Sequence, residues 1–231
     1  METSRRGAIL QKAVVTPGTS IAHRLCTLSL DFALDGAAIL LAGDGSPSGI
    51  ATSSGSLGRD IAELELKLGE GPGHQALSNR GPVLADQLLT GACEEWPVFA
   101  SEARERTVGA LFAFPLCLGS ICVGVLEVCR CVPGKLTVSH LTDLSLLASL
   151  ATSALLLMQA GLDDRDTLDL LESGDPVQIR VHQATGMVAQ QTSLSLPDSL
   201  ALIRSYALTH ELSLGNVAEQ VVTRRIRMDR L

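Results

Sequence analysis

Two apolar runs, Ala110 to Leu118 and Ile121 to Cys131, are separated only by Gly119-Ser120. Runs of this length joined by a two-residue Gly-X loop predict an antiparallel hairpin, because glycine supplies the positive φ that so tight a turn demands. This commits the chain to a β-sheet. The run Ala37-Ala38-Ile39-Leu40-Leu41-Ala42, closed by Gly43-Asp44-Gly45, predicts a buried strand and a turn, with Ile50 to Ser54 as its partner. Pro82 to Asp86 adds a further strand. Helical spacing appears in Thr16 to Leu34 (Ile21, Leu25, Leu28, Phe32), in Ile61 to Leu68, after the turn Gly69-Glu70-Gly71-Pro72-Gly73 as far as Leu77, and in the apolar stretch Ser139 to Gln159. Strands and helices of one domain therefore span 16–160, behind an N-terminal extension at 1–15.

The acidic segment 161–175 (GLDDRDTLDLLESGD) marks a boundary, and its leucines at 162, 168, 170 and 171 suggest part of it continues as helix. Beyond it, 176–231 carries three helical patterns. Val177, Val181, Ala184 and Val188 form a narrow seam. Ser195 is an N-cap with Asp198 three residues on and Pro197 in the first turn, followed by Leu200, Ile203, Ala207 and Leu208 on one face. Leu214, Val217, Ala218, Val221 and Val222 repeat at i, i+3, i+4, i+7, i+8 behind a Ser213 cap. Three such helices predict a small all-α bundle.

With 46% hydrophobic and 19% charged residues the chain has enough apolar material for a core and is no disordered polyelectrolyte. Aromatic residues are only 3%, which disfavours folds that stack bases on aromatic platforms. The net charge of −7 is uneven: residues 1–175 hold 12 Lys+Arg against 21 Asp+Glu, whereas 176–231 hold 6 against 4. Only the tail has the charge of a nucleic-acid binder. Gln11 and Lys12 interrupt the apolar start, so no export signal is expected, and the most apolar stretch, Leu144 to Met158, is shorter than a membrane span. These features predict a cytoplasmic protein, away from the membrane, whose six cysteines are reduced.

From about Thr16 to Ala160 the order of elements, with LGEGPGHQAL followed by RGPVLADQL, resembles a GAF domain; that segment looks like the part of many GAF domains that covers the ligand pocket. The resemblance implies an α+β fold, an antiparallel sheet with flanking helices, and a small-molecule ligand whose identity the fold leaves open. From about Pro176 to Arg227 the tail resembles an ANTAR domain, the RNA-binding module of transcription antitermination regulators. The matching residues are Val181 to Val188 (VHQATGMV), Ala201 to Ala207 (ALIRSYA) and Leu214 to Ala218 (LGNVA). Where many members have Ala-Lys-Gly this chain has Ala184-Thr185-Gly186, removing a positive charge from the implied RNA face; Arg180 and His182 are the replacement candidates. GAF followed by ANTAR, without a receiver domain, resembles a one-component actinobacterial design. It implies a homodimer that responds to a signal by stabilising an antiterminator stem-loop in a leader RNA, and no catalysis.

The candidate RNA-binding residues are Arg180, His182, Thr185, Arg204, Tyr206, Arg224, Arg225 and Arg227. On a helical wheel Arg204 falls between Leu200 and Leu208, inside the arc expected to be apolar, which suits either a phosphate contact or a salt bridge to Glu219. Arg224, Arg225 and Arg227 end the third helix, where cations also complement the helix dipole. Tyr206 suits base stacking or packing under the bundle. The small residues Ala184, Gly186, Ala201, Ala207 and Ala218 suit close helix approach. Glu94-Glu95 and Asp163-Asp164 are adjacent in loop-like surroundings and carry no acid-base geometry. Strand alternation puts Cys129 and Cys131 on the face of Ile121, Val123 and Val125, and Cys122 on the other; inert thiols are expected. No CxxC, phosphate loop, HExxH or nucleophile elbow is present, so no metal is predicted, and the motifs leave the cofactor unknown. Two other readings fit parts of the pattern: a thiol enzyme resembling GAF-type free methionine sulfoxide reductases, which needs two or more thiols converging on one pocket, with Cys93, Cys117 and Cys129 as candidates, and a protein-protein interaction module.

Overall fold

The computed structural model describes residues 2–14, 20–90, 93–119, 121–159, 167, 171, 176–210 and 212–228. The chain divides into two compact units, Met1–Thr152 and Ser153–Leu231. The division falls inside a helix rather than in segment 161–175, of which only Thr167 and Leu171, both helical and buried, lie within the described residues.

The first unit runs α1 (Glu2–Val14), α2 (Ile21–Leu28) with a 3-10 turn (Ser29–Phe32), β1 (Gly36–Gly43), β2 (Ser46–Ser54), α3 (Ser56–Leu68), α4 (Pro72–Asn79), β3 (Val83–Ala85), α5 (Pro97–Glu105), β4 (Ala110–Leu118), β5 (Ile121–Arg130) and the start of α6 (Val138–Gln159). The expected extension at 1–15 is thus largely a helix, which buries Leu10 and Ala13. The helix expected over Thr16 to Leu34 is shorter: Ser20 accepts the His23 N–H and starts it, and the left-handed Ala33 ends the 3-10 turn behind it.

All five strands are antiparallel to their neighbours, in the order β2-β1-β5-β4-β3. The hairpin is as expected, pairing Ala110 with Arg130 through Leu118 with Ile121, and Gly119 takes φ +60° in its loop. Strict alternation fails at one place, however. The register passes from Leu116–Gly124 to Cys117–Cys122, leaving Val123 as an extra residue. This β-bulge turns Cys122 onto the side of Val125, correcting the expected parity, and sets it opposite Cys117. The two sulfurs are placed as a disulfide, where the sequence predicts two separate thiols.

One face of the sheet carries Ala38, Leu40, Ala113 and Val125, covered by Ala62 of α3 and by Ala76 and Leu77 of α4. Ile61 and Leu64 continue this layer to Trp96, Phe99 and Leu111. Elsewhere α2 lies along β1 and β2, with Ile21 and Leu25 fully buried. By length and composition α6, at 22 residues, is long and apolar enough to cross a membrane. Its Leu144, Leu147, Leu150 and Ala151 are buried inside the protein, which is the arrangement of a packing helix.

In the second unit α7 (Pro176–Thr192), α8 (Leu196–Thr209) and α9 (Leu214–Val222) enclose a core of Val181, Ala184, Val188, Ile203, Ala207, Val217, Ala218 and Val221. Both expected caps are present: Ser195 Oγ accepts the Asp198 N–H at 3.3 Å and Ser213 Oγ accepts the Asn216 N–H at 3.2 Å.

Candidate functional site

The turn Gly69-Glu70-Gly71-Pro72-Gly73 joins α3 to α4. Gly69, at φ +70°, ends α3 by donating to the Glu65 carbonyl at 2.9 Å, and Pro72 opens α4. The side chain of Glu70 leaves the turn to reach α5. Its Oε1 accepts the N–H groups of Val98 (2.9 Å) and Phe99 (2.8 Å), donors that the first turn of a helix cannot satisfy internally.

Beneath the turn lie two buried carboxylates. Glu65 of α3 is fully buried and accepts the Gly73 N–H on both oxygens, at 3.1 and 3.0 Å. Glu127, at the middle of β5, is 2% exposed and is flanked on the sheet by Ala38 and Ala113. A Cβ on Gly73 would stand on Glu127 Oε1 and 2.7 Å from Glu65 Oε2, so a side chain there would push the two carboxylates aside. Burial, and then each other's charge, push the Glu65 carboxyl well above the usual carboxylate range, and burial pushes Glu127 up to about 7. His74, whose Nε2 lies 3.3 Å from the Glu65 carbonyl oxygen, is pushed down by burial. Sequence reasoning passed over both acids. Their signals were Glu65 at i+4 from Ile61 on the apolar face of a helix, and Glu127 as the one charge inside the apolar run Ile121 to Cys129.

A cavity of about 260 Å³ lies beside β3, lined by residues that include Leu84, Asp86, Thr90, Cys93, Trp96 and Arg104. The Cys26 thiol is pushed up to about 12 and Cys129 also upward, both by burial, which disfavours the thiolate. Cys131 is exposed.

The candidate residues of the second unit separate into surface and interior. Arg180 forms a salt bridge with Glu219 at 2.8 Å, tying α7 to α9. The acid is the one expected, but the partner is Arg180 and not Arg204. Arg204 is exposed, and so is Leu208, at 84%. The buried face of α8 is Ser199, Ile203 and Ala207 with Leu200 packed beside it, so of the expected apolar face only Leu208 lies outside and Arg204 does not interrupt it. Thr185 is buried, its hydroxyl donating to the Val181 carbonyl at 2.7 Å, so the charge a lysine would bring there is not missing from an exposed face. The side chain of His182 lies outside the described residues. Tyr206 is half-buried against the bundle core and stacks on His210, with ring centroids 3.9 Å apart.

Arg224, Arg225 and Arg227 lie beyond α9, which ends at Val222, rather than within its last turn. Arg224 takes φ +56°, the chain folds back, and the Met228 N–H donates to Gln191 Oε1 of α7 at 3.1 Å. This hydrogen bond holds the basic turn beside α7. A cavity of about 360 Å³ results, lined by Met187, Gln190, Gln191, Arg224 and Arg227.

No family model and no curated protein matches the chain. Solved structures do. The GAF domain of a phosphoenolpyruvate-protein phosphotransferase from Coxiella burnetii is similar at 15% identity and a TM-score of 0.51, over 69% of this chain and 95% of that one. Its counterpart from Acinetobacter is similar at 14% identity and 0.49, over 67% and 92%. A GAF domain/HD domain protein from Geobacter sulfurreducens is similar at 14% and 0.47, over 64% and 98%. At such identities the likeness speaks for fold alone. Five antiparallel strands with flanking helices, matched across nearly the whole of the Coxiella domain, give this chain a GAF-type fold.

Proposed function

We propose that the chain is a signal-responsive, non-enzymatic cytoplasmic regulator that acts as a homodimer, binds RNA stem-loops through its second unit and controls transcription termination and antitermination. The observation that carries this reading is the basic turn: Arg224 and Arg227 line one cavity with the amides of Gln190 and Gln191. Guanidinium groups beside side-chain amides suit phosphates and the edges of unpaired loop bases. Arg225 and Arg204 add exposed charge, in a segment with excess Lys+Arg inside an otherwise acidic chain. Tyr206, with its ring already stacked on His210, adds a planar surface. The GAF-type fold supplies the sensing half, with the cavity beside β3 as a place for a small ligand.

The test is a gel shift of the full chain with a tandem stem-loop RNA at low salt. Binding should weaken steeply with salt, and the double variant Arg224→Gln, Arg227→Gln should reduce the log-log salt slope by about 0.7–0.9 for each phosphate that is no longer neutralised. Absence of binding at low salt, with and without a cell extract as a source of ligand, sinks the reading.

A further inference from the structure

Glu127 has no partner that explains it. Among the described residues neither of its oxygens accepts a hydrogen bond, and neither Glu65 nor Glu127 forms an ion pair. The titratable groups facing it are Glu65 from α3, His74 from α4 through the Glu65 carbonyl, and Cys129 from its own strand. Strands β1 and β4 place only alanines beside it, Ala38 and Ala113. Burial disfavours the cationic form of His74, and no Lys or Arg contributes to the electrostatics of either acid. The backbone donors in reach, the Gly73 and His74 N–H groups, both serve Glu65. Two ionised carboxylates in this place would be desolvated, mutually repelling and uncompensated.

The occupant that relieves this must be small. A single Cβ on Gly73 already collides with both acids, so a group the size of a methyl enters only by displacing the carboxylates or α4. A metal ion needs more donors, and among the described residues no three His, Cys, Asp or Glu side chains converge. A proton needs only the two oxygens and turns a repelling pair into a hydrogen-bonded one.

We propose that Glu65 and Glu127 form a proton-binding site that holds the α3–α4 turn closed against the sheet and releases it when the proton is lost. Once ionised, Glu127 is a charge buried beneath α4 with no compensating cation, and hydrating it requires the start of α4 to lift from the sheet. Glu127, pushed up to about 7, ionises first and places this step near neutral pH, while Glu65, pushed well above the usual carboxylate range, keeps its proton there. The sign follows from linkage. A carboxyl that titrates higher in the folded chain than its ordinary 4.5 supports stability fully below that value, and the support is lost as pH rises through about 7. The inference concerns the first unit alone and stands independently of RNA binding.

The experiment measures hydrogen exchange at the amides of Gly73 to Leu77 in the full chain, together with thermal unfolding, from about pH 5 to about pH 9. After correction for intrinsic exchange, protection should fall at least about tenfold as pH rises through neutrality, and Tm should fall in the same window. Glu127→Gln should remove the fall near neutrality, and the double variant with Glu65→Gln should leave no pH dependence; His74→Asn should keep it. A flat wild-type profile overturns the proposal. So does a fall that survives Glu127→Gln or the double glutamine variant, or one abolished by His74→Asn. If one glutamine variant fails to fold, the wild-type profile and the other variant decide.

Discussion

The Glu70 carboxylate caps α5 across 29 positions of sequence, accepting the Phe99 N–H at 2.8 Å and the neighbouring Val98 N–H with the same oxygen. The N-cap residue, Trp96, makes no side-chain capping bond, so the first turn of α5 depends on a residue from another element. Glu70→Ala should cost about 1–2 kcal/mol, the usual effect of losing an N-cap acceptor, and lower Tm by several degrees. Glu70→Gln should recover part of it, since the amide oxygen still accepts. Urea unfolding of the three proteins checks the order.

Gly73 and Gly7 should respond to alanine with opposite signs. Around Gly7, in α1, a Cβ meets nothing within 4 Å, so Gly7→Ala should stabilise by about 0.5–1 kcal/mol through helix propensity. At Gly73 the same methyl stands on the Glu127 carboxylate, and overpacking of about 1–3 kcal/mol should outweigh that gain. Chemical denaturation of the two variants tests the contrast, and stabilisation by Gly73→Ala would show that α4 does not press Gly73 against the two acids.

The Arg180–Glu219 bridge joins α7 to α9 at 2.8 Å, yet both side chains are some two-fifths exposed. Solvent screens such a pair, so a double-mutant cycle with alanines should give a coupling below about 1 kcal/mol that shrinks further in high salt.

The two faces of α8 can be told apart by truncation. Ile203 is fully buried and Leu208 is 84% exposed. Ile203→Ala should destabilise the second unit by about 2–5 kcal/mol, whereas Leu208→Ala should lie within about 0.5 kcal/mol of wild type. Equal effects would mean that the core of the bundle extends to Leu208.

Sequence by itself determined what is local. The two-residue Gly-X loop between apolar runs specified the hairpin, and Ser195 and Ser213 specified where α8 and α9 begin, because a turn or a cap is made by residues a few positions apart. The GAF-type order of elements was legible for the same reason. Tertiary structure decided whatever depends on distant partners. α5 escaped notice because its cap is Glu70, far upstream, and its nine residues carry too short a pattern to stand alone. Alternation misplaced Cys122 because an extra residue at Val123 shifts the register, and the shift is defined only against the partner strand. Thr185 and Arg204 exchanged their expected places because a helical wheel gives the angles between side chains but not which angle the neighbouring helices cover. Glu65 and Glu127 are 62 positions apart, each an ordinary glutamate in sequence; only the closure of α3 and α4 over the sheet removes the water between them, and desolvation makes them a pair.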